Sequence, residues 1–91
     1  MTVKVMIPVA LRQYAAGNDT VELNGAKVGD VLRQLGELYP DLRKHIFSDE
    51  GELRSFVNVF INDENIRDRD GQNTAITEGD ELVIVPAVAG G

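Results

Sequence analysis

The chain has no cysteine, no tryptophan and a single histidine, His45. Without cysteine there is no disulfide framework, no thiolate metal site and no thiol nucleophile. One histidine cannot assemble a histidine-based zinc site or a catalytic triad within the chain, so most enzyme chemistries are excluded. His45 itself reads as a solvated residue near a helix end. Long apolar runs are also missing. None approaches the roughly 20 residues that span a bilayer, and no signal peptide opens the sequence, which predicts a cytoplasmic protein without membrane contact. Positive charge is scarce, with 9 basic residues against 15 acidic ones and a net charge of −6. Nucleic acids and anionic membranes select the opposite sign, so neither is expected as a partner, whereas a protein with a basic face is. Asp49, Glu50 and Glu52 read as a solvated rim rather than a metal site, and no metal is expected.

What is present suits one small core. Ninety-one residues at 43 % hydrophobic content are too apolar for a disordered chain and too few for two domains. Residues 2–7 alternate, placing Val3, Val5 and Ile7 on one strand face until Pro8 ends the ladder. A connection with a helical turn around Leu11 and Tyr14 leads through Gly17-Asn18-Asp19 to a second strand, Thr20–Leu23. Val28, Val31, Leu32, Leu35, Leu38, Tyr39 and Leu42 then recur at helical spacing. Lys27 is a poor cap for that helix, and Gly36 weakens it by about 1 kcal/mol relative to alanine. Pro40 stops it at Tyr39, and Asp41 caps a second short turn through Leu42 and Ile46. Phe56–Ile61 is the strongest strand, and Ile66 continues a short edge strand. Ala75 and Ile76 tuck a loop under the core, and Glu78-Gly79-Asp80 turns into the last strand, Glu81–Val85.

One helix against this set of strands predicts an α+β fold, with a mixed sheet of about four to five strands packed on one main helix. The strongly apolar first and last strands form a parallel pair in the middle, as in the β-grasp architecture of ubiquitin. Residues 1–86 form this domain, and residues 87–91 form a flexible C-terminal tail. The tail ends in Gly90-Gly91, a coincidence expected in roughly 0.5 % of chains at ordinary glycine usage of about 7 %. The pair gains meaning only from its setting.

In that setting the chain resembles the ubiquitin-like sulfur carriers of the MoaD/ThiS family. The resemblance rests on the order of elements, on Glu78-Gly79-Asp80-Glu81 before an apolar strand, and on Pro86-Ala87-Val88-Ala89-Gly90-Gly91. The tail and the stretch from Phe56 through Asn62-Asp63-Glu64-Asn65 to Arg67 are most similar to the CysO type of cysteine biosynthesis. Lys27 departs from the family, in which many members carry a threonine there.

The resemblance implies a cosubstrate rather than an enzyme. The reacting group is the α-carboxylate of Gly91, and the chain binds no cofactor. An adenylyltransferase and sulfurtransferase related to ubiquitin-activating enzymes uses MgATP to make an acyl-adenylate. Sulfur then displaces AMP and leaves a thiocarboxylate. For the CysO type the further partners are a cysteine synthase and a metalloprotease that cleaves the tail. The alternatives are the small subunit of molybdopterin synthase, with the large subunit as partner, or a ubiquitin-like modifier joined through Gly91 to lysines.

Tail and strand faces add two expectations. Five residues beyond Pro86 reach about 17 Å when extended. Gly90 and Gly91 fit a tight channel, Val88 offers an apolar anchor between Ala87 and Ala89, and Pro86 frees the tail by ending the last strand's pairing. Period two turns Met6, Asn58, Phe60, Val83 and Val85 outward as a partner surface, with Phe60 as its anchor. Asp63, Glu64, Asp80 and Glu81 are expected to rim it.

Overall fold

Apolar alternation builds the sheet. Strand β1 (Thr2–Met6) buries Val3 and Val5, and β5 (Glu81–Pro86) buries Leu82 and Ile84. The computed structural model describes residues 2–86; Met1 and residues 87–91 lie outside the described residues. β1 and β5 run parallel, with Val5 opposite Leu82. β2 (Thr20–Asn24) flanks β1 antiparallel, β3 (Val57–Ile61) flanks β5 antiparallel, and β4 (Glu64–Asn65) lies beyond β3. The order β2-β1-β5-β3-β4 sets the first and last strands at the centre of a mixed sheet, as a β-grasp fold requires. Helix α1 (Val28–Leu38) follows β2 and covers the inner face with Val28, Val31, Leu32 and Leu35, all fully buried. The inward set read from alternation (Val3, Val5, Ile7, Val57, Val59, Ile61, Leu82 and Ile84) is buried throughout.

α1 starts without a side-chain cap at Lys27. Its first N–H groups still need acceptors, and the backbone supplies one. The Val28 N–H donates to the Thr74 carbonyl at 3.0 Å, and the Ile76 N–H donates to the Ala26 carbonyl at 2.9 Å. Within this bracing loop Ile76 and Thr74 are buried, but Ala75 is exposed and does not join the core as expected.

Several local expectations are corrected by packing. Leu38 is 56 % exposed, because α1 ends there and Pro40 redirects the chain. Pro40 is the first residue of α2 (Pro40–Ile46) and Tyr39 its cap position, so Asp41 lies in the first turn, where it faces the helix dipole rather than capping it. Gly36 is more than a weak point in α1. A Cβ there would lie 3.0 Å from the Arg43 Cγ, so glycine lets α2 pack closely on α1. Residues Val9–Ala15 form a 3-10 helix of seven residues, and Ile66 begins a second, short one as a buried residue instead of extending β4. Phe56 falls outside β3 and is exposed. His45 is exposed and stacks on Tyr14 at a centroid distance of 4.2 Å.

Candidate functional site

The described residues close with β5 at Pro86, where the sequence expectation places the start of the tail. Pro86 does not break the ladder there, contrary to the sequence expectation, because it lies in β5 opposite Val57. Alternation of the backbone explains why proline is tolerated. The Glu81 carbonyl accepts from the Asn62 N–H on the β3 side, whereas the Asp80 carbonyl accepts from the Lys4 N–H on the β1 side. Period two therefore aims the position of the missing Pro86 donor at the β1 side. The last pair on that side is Met6 with Val83, so no ladder bond is lost. On the other side β3 begins at Val57. Among the described residues, β1 pairs with β5 as far as Val83 and β3 as far as Pro86.

Where β1 departs, an open groove of about 440 Å³ remains beside the end of β5. Met6, Pro8, Arg12, Val83, Val85 and Pro86 line it. The Arg12 Nε donates to the Ile7 carbonyl at 3.0 Å and fixes the side chain against this wall. Pro8 and Arg12 were not legible as site residues, since only the fold brings the connection after β1 alongside Pro86.

The predicted outward residues do come together. Met6 lies opposite Val83, Val83 opposite Phe60, and Val85 opposite Asn58. Met6, Val83, Phe60 and Asn58 are half-buried, and Val85 is 40 % exposed. Together they form an apolar band across three neighbouring strands on the face away from α1. Asn58 is engaged at its edge, where its Oδ1 accepts from the Asn65 Nδ2 at 3.4 Å. Gly91, Gly90, Ala89, Val88 and Ala87 lie outside the described residues.

The expected acidic rim is corrected in part. Asn62 and Asp63 both have positive φ, as the two-residue turn of a β-hairpin demands, and this turn sits at the opposite end of β5 from Pro86. Glu64 pairs with Arg69 at 3.6 Å, and Glu81 is opposite Lys4. Asp80 is not a free surface charge. Its carboxylate accepts from the Thr77 N–H at 2.8 Å, the Thr77 hydroxyl at 3.0 Å and the Asn62 Nδ2 at 2.7 Å. The Thr77 N–H above all, helped by Asn62, the Thr77 hydroxyl and the Arg69 charge, holds the carboxyl below its usual 3.8 against the opposing effect of desolvation.

A depressed native pKa contributes stability that is present above the unfolded value and lost as pH falls through the native one. Asp80→Asn is therefore expected to lower Tm at pH 7, and the gap to wild type should shrink progressively below about pH 4. Thermal melts at several pH values check this; a gap that is constant down to pH 2 would contradict it. Among the described residues no group of three or more His, Cys, Asp or Glu side chains is placed to hold a metal ion, and no helix is long and apolar enough to cross a membrane.

Comparison with known proteins fits this geometry. The ThiS family profile matches residues 5–91. The chain is 40 % identical to the sulfur carrier protein CysO of Mycobacterium tuberculosis, over the full length of both. It superposes on a chain of the Amycolatopsis orientalis BexX/CysO complex with a TM-score of 0.88 at 36 % identity, covering 98 % of this chain and 99 % of that one. The small archaeal modifier protein 1 of Methanosarcina acetivorans superposes with a TM-score of 0.86 at 40 % identity, covering 99 % and 96 %. A β-grasp sheet whose central strand leads to Gly-Gly, matched along its whole length by such relatives, makes this chain a member of the ThiS family of ubiquitin-like proteins.

Proposed function

We propose that this protein is a sulfur carrier of the CysO type, whose Gly91 carboxylate is adenylated and then converted to a thiocarboxylate that donates sulfur for cysteine biosynthesis. The observation that carries this reading is the full-length 40 % identity to CysO, which includes the region leading to the terminal glycines. The chain supplies no catalytic side chain. A carboxylate is a poor acyl donor because oxide is a poor leaving group, so a partner adenylyltransferase with MgATP must convert it to the acyl-adenylate. Sulfide sulfur then attacks the carbonyl carbon, AMP departs with the C–O bonding pair, and the thiocarboxylate remains. Residues 1–86 serve as the handle and residues 87–91 as the tail that enters the partner. A cysteine synthase consumes the thiocarboxylate, and a metalloprotease trims the product from the tail.

Intact mass after incubation with the activating enzyme, ATP and sulfide tests the carrier class. A gain equal to exchanging one oxygen for sulfur, lost on deletion of Gly91, is the expected result. No gain with a competent activating enzyme overturns it. The likeness to an archaeal modifier supports a second reading, conjugation through Gly91 to lysine amines. Adducts that survive reductant would favour it, whereas copurification with a large pterin-synthase subunit would favour molybdopterin synthesis.

The band of Met6, Val83, Val85 and Phe60 is the face that meets the activating partner in this reading. Aromatic anchors dominate such contacts. Phe60→Ala is expected to weaken binding by about 2 kcal/mol, or roughly 30-fold in Kd, while leaving Tm within a few degrees. Titration calorimetry with the activating enzyme measures this, and an unchanged Kd would reassign the face.

A further inference from the structure

Met6 holds the only sulfur atom among the described residues, since the chain has no cysteine and its other methionine is Met1. It is the last residue of β1, opposite Val83 of β5 on one side and Thr20 of β2 on the other. Alternation turns its side chain away from α1, between the buried Val5 and Ile7. The side chain is half-buried and lines the open groove of about 440 Å³ where β1 departs, so a small solute can reach it. The Thr20 hydroxyl donates to its Sδ at 3.6 Å. A thioether is a weak acceptor, so this bond contributes little to the reduced protein. It does place a donor beside the one atom of the outward band whose chemistry can change. Neither cysteine nor tryptophan is present in the chain to intercept an oxidant first.

We infer that Met6 is a reversible oxidation site for peroxides, and that its sulfoxide turns the outward band from an apolar surface into a polar one. A lone pair on Sδ attacks one peroxide oxygen. The S–O bond forms as the O–O bond breaks, and the departing hydroxide takes up the remaining proton as water. Sulfur is oxidised by two electrons and the peroxide is reduced. The sulfoxide oxygen is a far better acceptor than the thioether, and the Thr20 hydroxyl is placed to donate to it. The new dipole is therefore satisfied without opening the core, which Val5 and Ile7 enter from the other face of the strand. On the outer face the oxygen joins a row that runs from Met6 through Val83 to Phe60. A partner's apolar surface must then strip water from a polar group in order to dock there. A thiol-dependent sulfoxide reductase reverses the step: two thiols are oxidised to a disulfide, and the oxygen leaves as water. The loss of partner binding rests on the sulfur-carrier reading; the oxidation and the change in polarity do not.

The test treats full-length wild type and Met6→Leu with hydrogen peroxide. Peptide mass mapping locates the added oxygen, because cleavage after Lys4 separates Met1 from Met6. Wild-type Met6 is expected to gain one oxygen at a rate within about tenfold of free methionine. The oxidised protein should keep its far-UV circular dichroism and elute earlier from a hydrophobic-interaction column. In titration calorimetry it should bind the activating enzyme about tenfold more weakly than before treatment. A mixture of the two epimer-specific sulfoxide reductases with dithiothreitol should restore both properties. Peroxide should leave the retention and Kd of Met6→Leu where they stood before treatment. Thr20→Val lacks the donor and should lose more Tm on oxidation than wild type does; an equal loss would remove the role of the hydroxyl. Oxidation more than about 100-fold slower than that of free methionine, as for a buried sulfur, overturns the inference. So does unchanged retention, or an unchanged Kd with an enzyme that adenylates the wild type. Unfolding of the wild type on oxidation overturns it as well, because the loss of binding would then have no local cause. A reversible change in retention, in a wild type that the activating enzyme never adenylates, would leave the oxidation site standing and remove the carrier reading.

Discussion

Deletion of Gly91 is expected to lower ATP–pyrophosphate exchange with the activating enzyme by at least about 100-fold, a barrier increase of roughly 2.7 kcal/mol. On the sulfur-carrier proposal the carboxylate would still exist, now on Gly90, but one residue short of where it is to meet the α-phosphate of ATP. An extended residue spans about 3.3 Å, and a misplacement of only 1 Å at a reacting atom is enough to cost about two orders of magnitude. On the sulfur-carrier proposal, Gly91→Val keeps the length and should fail comparably, because a β-branched side chain is harder to admit to a narrow channel than glycine, which has no side chain. Neither change should alter the far-UV circular dichroism or Tm, since the core runs from Val3 to Ile84. Exchange at the wild-type rate by either variant would place the reacting group elsewhere.

The second large effect lies in the core. Leu32 is fully buried on α1 against the central strands, whereas Leu38, on the same helix, is 56 % exposed. Leu32→Ala removes three buried carbons and leaves a cavity, at an expected cost of about 3 kcal/mol. Leu38→Ala should cost no more than about 0.5 kcal/mol, because alanine is the better helix former and little apolar area is lost. A domain of this size has a total stability near the low end of the usual range of about 5–15 kcal/mol, so Leu32→Ala would consume much of it. Urea titrations should show the midpoint falling sharply for Leu32→Ala with the slope m unchanged, and hardly moving for Leu38→Ala. Similar midpoints for the two variants would mean that α1 packs otherwise.

Those two leucines also show what can be read from sequence. Periodicity identifies the stripe to which both belong, but it cannot tell where the covering sheet ends, and so it counts Leu38 with the core. The strands were legible because period two carries its own face assignment: all eight inward residues read from alternation are buried. The outward band was legible for the same reason, given the strand order. What escaped reading depends on contacts between distant segments. The Thr74 carbonyl replaces a side-chain cap at α1, Gly36 admits α2, and the Arg67 guanidinium gathers the Arg54, Ser55 and Val57 carbonyls, yet none has a local pattern that announces it. Pro86 shows the opposite error. Local chemistry says that proline ends pairing, and only the alternation of backbone groups reveals that its missing donor faces a side already vacated by β1.

The central pairing of β1 with β5 has a consequence for how the molecule comes into being. Val5 meets Leu82 across most of the sequence, so this contact closes a long loop. Loop closure grows costlier with length by about 0.6 kcal/mol per doubling, and folds dominated by such distant contacts form slowly. Until β5 inserts, β1 and β3 each present an unpaired edge, the kind of surface that proteases and aggregation act upon. The segment that carries the terminal glycines is thus the one whose arrival completes the domain. On the sulfur-carrier proposal, the outward band of Met6, Val83 and Phe60 and the strand that leads to the terminal glycines then come into place together.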